Sequence, residues 1–384
     1  MSFIPYGRQS IDQSDIDAVV EVLQSDFLTT GPKVAEFENA ICDYTGAKYA
    51  VAVSSGTAAL HIASLALINK GDKVVCSPIT FAATSNSVLY SGGEPVFCDI
   101  SADGNLDLDK CAEMLRADSS IKHLYVTHMT GRPADQAKLA KLKSDFGVAI
   151  LEDCAHALGG TVAGGCINSD CSILSFHPVK HITTGEGGAV TTNSKGLYDK
   201  LVMLRTHGIT KGEFKNSELA YDKKGNLNPW YYEMHDLGFN YRITDIQCAL
   251  GLSQFSKLDG FISRRREVAK QYENAFVKDG IFAPLYQYDG DSAYHLFVVQ
   301  ADFDELGLTK AELFNKMRDA GIGLQLHYIP VPMLPYYSVR GYGIKDLPNA
   351  VDYYDKSFSI PIYPSMTDTQ VKQVIDLLYK NISA

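Results

Sequence analysis

Five short apolar runs, each followed by a helical pattern or a turn, limit what this chain can fold into. They are Ala50–Val53, Lys73–Ser77, Pro95–Asp99, His123–Thr127 and Val148–Glu152. Between them, Thr57–Leu67, Thr80–Tyr90, Leu108–Leu115 and Pro133–Phe146 carry apolar residues at helical spacing. Near-continuous apolar strands alternating with helices predict a three-layer α/β fold, a mostly parallel sheet covered on both faces. Such sheets gather ligands at the carboxyl ends of their strands.

The rest of the chain frames that sheet. Residues 1–12 read as an extended arm, and Ser14–Gln24 and Lys33–Tyr44 as helices, the second closed by Gly46. Tyr221–Tyr232 is a polar excursion, and Leu237–Leu250 a loop entering a helix capped by Thr244 or Asp245. From Leu252 one long helix is expected to reach Phe276, with Arg264, Arg265 and Arg266 on a solvated face. Strand, helix, strand and helix signals follow at Ala293–Val299, Lys310–Ala320, Gly323–Tyr328 and Thr367–Asn381. The expected division is an arm (1–12), a large α/β domain (13–251) and a smaller C-terminal α+β domain (252–384).

Composition removes several classes. A net charge of −10 argues against general nucleic-acid binding. No apolar run approaches the roughly 20 residues of a membrane span, and the N-terminus lacks a signal core, so a cytoplasmic protein is expected. None of the eight cysteines forms a C-x-x-C pair, which predicts reduced thiols and no metal site.

The chemistry centres on Ser172–Val190, S-I-L-S-F-H-P-V-K-H-I-T-T-G-E-G-G-A-V. Pro178 breaks an apolar strand ending at Phe176, and Lys180 stands on the turn that follows. A lysine held on a rigid turn between strands is placed to lose its proton and attack a carbonyl. Upstream, Ser54–Thr57 are small or hydroxylated at a strand–helix junction, where backbone N–H groups and the hydroxyls of Ser55 or Thr57 suit a phosphate. Asp153 ends the run V-A-I-L-E-D, and a carboxylate there needs a cationic partner or a turn to cap. A protonated pyridine nitrogen is such a partner. Anion cradle, buried acid and lysine together are what pyridoxal phosphate requires. His156 lies within reach of a phenolic oxygen of that cofactor, or is a satisfied buried histidine. Phe81 follows another strand end, where a ring stacks on a flat cofactor or joins the core. Ser175, five residues before Lys180, adds a further hydroxyl for a phosphate.

The stretches S-S-G-T-A-A-L, T-F-A-A-T, E-D-C-A-H-A, S-F-H-P-V-K with T-T-G-E-G-G-A-V, and F-N-Y-R-I-T-D-I-Q resemble the DegT/StrS family of sugar aminotransferases. The resemblance covers nearly the whole chain and implies the aspartate-aminotransferase (type I) fold of pyridoxal-phosphate enzymes. It makes Lys180 the Schiff-base lysine and proton shuttle, Asp153 the partner of the pyridine nitrogen, and His156 the neighbour of the ring hydroxyl. Phe81 stacks on the ring, and Ser55, Gly56, Thr57 and Ser175 hold the phosphate. Asn240 reaches the phosphate of a neighbouring subunit, so a homodimer with shared sites is implied. I-P-Y-G-R-Q-S-I-D, L-H-Y-I-P-V and P-Y-Y are similar to one branch, the 4-aminotransferases of the pseudaminic acid pathway. That likeness implies a UDP-linked 4-keto-6-deoxy-N-acetylhexosamine as substrate and glutamate as donor, with Tyr6, His327 and Tyr328 on the sugar-nucleotide side. Two positions depart from the branch, Arg132 after His128-Met129-Thr130-Gly131 and Pro332 after His327-Tyr328-Ile329-Pro330-Val331.

Other readings stay open at this point: another nucleotide-linked keto sugar, dTDP-linked or 3-keto; a sugar dehydratase on the same scaffold, whose relatives lack the lysine; and a non-catalytic sensor.

Overall fold

The computed structural model describes residues 3–382 except 162, 213 and 279. The first two residues of the expected arm and the last two of the chain lie outside the described residues. Seven strands form the central sheet: β1 (Tyr49–Val53), β2 (Lys73–Cys76), β3 (Glu94–Phe97), β4 (Ile121–Thr127), β5 (Ala149–Asp153), β6 (Cys171–Ser175) and β7 (Gly188–Thr192). Their order is β1-β7-β6-β5-β4-β2-β3, and only β7 runs antiparallel to its neighbours. Because β7 is reversed, the turn joining it to β6 lies at the same sheet edge as the carboxyl ends of the parallel strands. Lys180 stands on that turn.

Helices cover both faces, as the alternating pattern predicts. Gly56–Leu67 lays one face on the sheet, burying Ala59, Ile62 and Ala63 with Val51, Val74 and Leu151. On the other side Phe37, Ile41, Phe176 and Ile262 fill a second cluster. Each large apolar side chain so buried contributes roughly 1.5–3 kcal/mol, which makes these layers the main source of stability. The helix Pro32–Thr45 ends at Gly46 in the left-handed conformation (φ 76°), as expected. Thr244 is the cap of Asp245–Phe255, paired with Gln247 in a capping box.

Three expectations need correction. The long helix is two, Asp245–Phe255 and Leu258–Phe276, separated at Ser256 and Lys257. Gly323–Tyr328 is not a strand; a single antiparallel bridge joins Gln325 to Ser359. The residues flanking that bridge are drawn away to line a cavity. The arginine cluster is not a solvated face. Arg265 is 0% exposed. Its guanidinium donates to the carbonyls of Tyr294, His295 and Ile362 at 3.2, 3.2 and 3.0 Å. Arg264 donates to the Met366 carbonyl and pairs with Asp368, while Arg266 donates to Ser292.

The C-terminal part holds an antiparallel sheet of Ala283–Pro284, Phe297–Gln300 and Ser357–Ile360. Leu258–Phe276, Lys310–Asp319 and Asp368–Ile382 pack with it around Tyr272, Phe276, Phe358 and Leu378. The N-terminal arm joins this core. Ile4 is buried and exchanges backbone hydrogen bonds with Gly321 and Gly323, and the Tyr6 carbonyl accepts from Ile362. No helix of the described residues is long and apolar enough to cross a membrane.

Candidate active site

A cavity of about 610 Å³ opens at the sheet edge where the parallel strands end. Strand geometry supplies its walls. Ser55, Gly56 and Thr57 follow β1, Thr80 and Phe81 follow β2, Thr127 ends β4, Asp153 ends β5 and Ser175 ends β6. Tyr6, His156, Lys180, His327 and Tyr328 complete the wall. Every residue expected at the site therefore lines this one cavity except Asn240. Asn240 is exposed elsewhere, bridged to Thr206.

The turn carrying Lys180 is pinned from beneath. Phe176 is fully buried against Phe37, with ring centroids 5.1 Å apart. Its carbonyl accepts from Thr184 N and Thr183 Oγ1, and its amide donates to Gly187. Lys180 N donates to His177 O at 2.8 Å, closing the turn. The side chain is half-buried in the cavity wall. Burial pulls its pKa down to about 8; nearby Asp153 opposes that and Arg265 adds to it. A useful fraction of the amine is thus neutral near physiological pH.

Asp153 is 4% exposed. Both its oxygens are engaged: Thr84 Oγ1 donates to Oδ2 at 2.7 Å and Ala155 N to Oδ1 at 3.1 Å. No ion pair among the described residues includes it. A buried carboxylate with neutral donors only is costly unless a cation is to arrive from the cavity.

The cradle at the end of β1 is equally specific. Ser55 caps Gly56–Leu67, its side chain accepting from Ala58 N at 3.0 Å. The first-turn amides of a helix have no intrahelical acceptor and favour an anion. A Cβ on Gly56 would come within 2.9 Å of Ser175 Cβ, and one on Gly188 within 2.5 Å of Ser55 O. Absence of side chains lets three segments converge on that turn. An anion cradle, a lysine amine and an uncompensated carboxylate on one cavity match the phosphate, aldehyde and ring nitrogen of pyridoxal phosphate, so the residues present fit that cofactor.

Around these groups, Tyr328 Oη and His156 Nε2 lie 3.1 Å apart. Burial, then nearby Lys180, pushes the His156 pKa well below the usual imidazole range and that of His327 down to about 3. His327 Nδ1 lies 2.8 Å from Ser359 Oγ, and its ring packs against Tyr6 at 5.1 Å. Phe81 is 61% exposed at the mouth. The two departing positions do not reach the cavity. Arg132 pairs with Asp103 and Asp289 over the Tyr286 ring, and Pro332 is buried in a short 3₁₀ turn. Sequence reasoning missed Thr84 and His295. Thr84 lies inside a helix that begins at Ala83 rather than Thr80, and His295 sits in Y-H-L-F, which reads as plain strand.

Known proteins share both sequence and fold with this chain. Residues 9–379 match the model of the DegT/DnrJ/EryC1/StrS aminotransferase family. The chain is 38% identical over 380 residues to the UDP-4-amino-4,6-dideoxy-N-acetyl-beta-L-altrosamine transaminase of Campylobacter jejuni, covering 98% of this chain and 96% of that one. Helicobacter pylori PseC, an aminotransferase involved in the biosynthesis of pseudoaminic acid, superposes with a TM-score of 0.89 at 29% identity over 99% of both chains. The pyridoxal-phosphate form of the putative sugar aminotransferase Spr1654 of Streptococcus pneumoniae gives 0.86 at 25% identity over 99% of this chain and 98% of that one. The chain belongs to the DegT/DnrJ/EryC1/StrS aminotransferase family. It is accordingly an aminotransferase of the type I α/β fold that depends on pyridoxal phosphate.

Proposed function

We propose that this aminotransferase acts on a sugar, moving an amino group from glutamate to C4 of a UDP-linked 4-keto-6-deoxy-N-acetylhexosamine. The observation that carries the amino-transfer part is the Lys180 amine, held in one cavity with the Asp153 carboxylate and the Ser55–Thr57 turn. The sugar part is supported by the likeness to the Campylobacter jejuni transaminase and to PseC. Synthesis of pseudaminic acid or a related surface glycan, in the cytoplasm, is the matching role.

Bound pyridoxal phosphate supplies an aldehyde for attachment and a ring that takes up electrons when a carbon acid loses its proton. In this reading Lys180 is the attachment point. Once released, its amine carries a proton from the donor's α-carbon and later returns one to the sugar carbon. Asp153 holds the ring nitrogen in its charged form. Gly56, Thr57, Ser55 and Ser175 hold the phosphate, Phe81 covers a ring face and His156 meets the ring hydroxyl. Tyr6, His327 and Tyr328 orient the sugar nucleotide. The division into an arm (1–12), a cofactor domain (13–251) and a smaller domain (252–384) is part of this reading, supported by Tyr6, His295, His327 and Tyr328 reaching the cavity wall.

The protein works as a homodimer in this account, with the partner's Asn240 completing each phosphate site. Two observations support it: Asn240 lies outside its own cavity, and the segment around it leaves Trp230 and Leu237 each 75% exposed. The test is incubation with glutamate and a panel of UDP- and dTDP-linked keto sugars, reading products by NMR. Amination at C4 of the UDP-linked sugar with release of 2-oxoglutarate is expected. Amination of a dTDP-linked 3-keto sugar alone would overturn the substrate assignment.

A further inference from the structure

Behind Lys180 lies a group that the amino-transfer reading does not use. His295 is buried just ahead of the strand Phe297–Gln300, and its Nε2 is 3.3 Å from Lys180 Nζ. Its Nδ1 has no hydrogen-bond partner among the described residues. Two other imidazole rings pack against it. His156 packs against it with centroids 4.3 Å apart, and His181 at 5.5 Å. The backbone around it is fixed by Ala293 N donating to Gly131 O, Leu296 N donating to Thr130 O, and Arg265 donating to the carbonyls of Tyr294 and His295.

We propose that His295 is a positioning residue: its Nε2 accepts a hydrogen bond from the free amine of Lys180 and holds that amine facing the cavity. The proposal rests on Lys180 being the reacting amine. A neutral imidazole with its proton on Nδ1 presents Nε2 as an acceptor, whereas a charged one presents only donors and repels an ammonium. The surroundings keep it neutral. The groups facing Lys180 are Asp153 from β5, His156, His181, His295, His327 and Arg265 from the helix Leu258–Phe276. Burial first, then the positive charge of Lys180, pushes His295 well below the usual imidazole range, and Arg265 acts in the same direction. Asp153 is the sole carboxylate of that group, and its oxygens are engaged by Thr84 and Ala155. His295 is thus left as the one ring nitrogen within hydrogen-bonding distance of Lys180 among the described residues.

The consequence is a signed shift. A hydrogen bond to the ammonium form favours that form, so its removal lowers the lysine pKa further. Loosening of the pocket admits water and moves it the other way. The apoprotein is labelled with an amine-specific reagent across a pH series, and modification of Lys180 is followed by mass spectrometry. The wild-type midpoint is expected near 8. In His295→Leu it falls by about one pH unit, and in His295→Gln, which keeps an acceptor, it stays near the wild-type value. An unchanged or raised midpoint in His295→Leu overturns the proposal, as does a lowered one in His295→Gln. Should His295→Leu fail to fold, nitrogen NMR of histidine-labelled wild-type apoprotein decides. An unprotonated Nε2 on His295 agrees with the proposal and a protonated one contradicts it. Neither readout depends on turnover. Reduction of the cofactor-loaded protein with borohydride separately shows whether Lys180 is the attachment point.

Discussion

Thr84 Oγ1 donates a 2.7 Å hydrogen bond to Asp153 Oδ2, joining a helix behind β2 to the carboxyl end of β5. Thr84 in turn lies 3.0 Å from Thr80 Oγ1, which lies 3.1 Å from Thr127 Oγ1. The chain of hydroxyls orients the carboxylate without neutralising it. That leaves the carboxylate free for the proposed pairing with the ring nitrogen of the cofactor.

Asp153→Asn tests that division of labour. The amide keeps the shape and one acceptor but loses the charge. Removing one member of a buried charge pair costs about 3 kcal/mol, so kcat/KM is expected to fall roughly 100-fold or more. The melting temperature of the apoprotein should change little, because Asp153 forms no ion pair among the described residues and the neutral amide no longer buries a charge. Steady-state kinetics beside thermal melting checks both halves.

Gly188→Ala tests the cradle. The added Cβ would sit 2.5 Å from Ser55 O and 2.7 Å from Gly56 N, backbone atoms with no rotamer to escape by. Overpacking of this kind costs about 1–3 kcal/mol, and here it displaces the phosphate turn. Lower thermal stability together with weaker pyridoxal phosphate affinity is expected. Gly260→Ala is the control. Its Cβ meets nothing within 4 Å on the helix Leu258–Phe276, so stability should rise by roughly 0.5–1 kcal/mol with affinity unchanged. Calorimetric melting and cofactor titration read both variants.

Glu152, beside Asp153 but on the opposite face of β5, contributes to the pH dependence of stability on the acid side. Burial alone would raise its pKa. Hydrogen bonds with His128 at 3.1 Å, Gln136 at 2.8 Å and Ser169 at 2.5 Å outweigh burial and bring it to about 2. A folded-state pKa below the unfolded value of about 4.5 adds stability that is full above that value and is lost as pH falls towards 2. Glu152→Gln should therefore lower stability at neutral pH and flatten the loss between about pH 4.5 and 2. Denaturant midpoints measured across that range give the comparison.

Much of this was legible in the residues because local and global signals agree. The runs ending at Val53, Thr127 and Asp153 are mostly apolar along their length, as strands of a covered parallel sheet are, and each brings a polar residue to one edge. The lysine turn was legible because Pro178 forces a break and Gly185, at φ 79°, permits the return. Other features depend on tertiary contacts that period and propensity do not encode. Arg265 occupies an amphipathic helical pattern suited to solvent, yet three carbonyls from distant segments draw it inside. Gly323–Tyr328 has strand-like residues, but the site takes Leu326, His327 and Tyr328 for its wall. His295 looks like any strand residue until Lys180, 115 positions earlier, meets it.

The most direct measurement is borohydride reduction of the protein loaded with pyridoxal phosphate, followed by peptide mapping. The account predicts one pyridoxyl adduct, on Lys180, with Lys180→Ala showing none and no transamination. An adduct on another lysine of the wild-type protein, or wild-type turnover in Lys180→Ala, would contradict it.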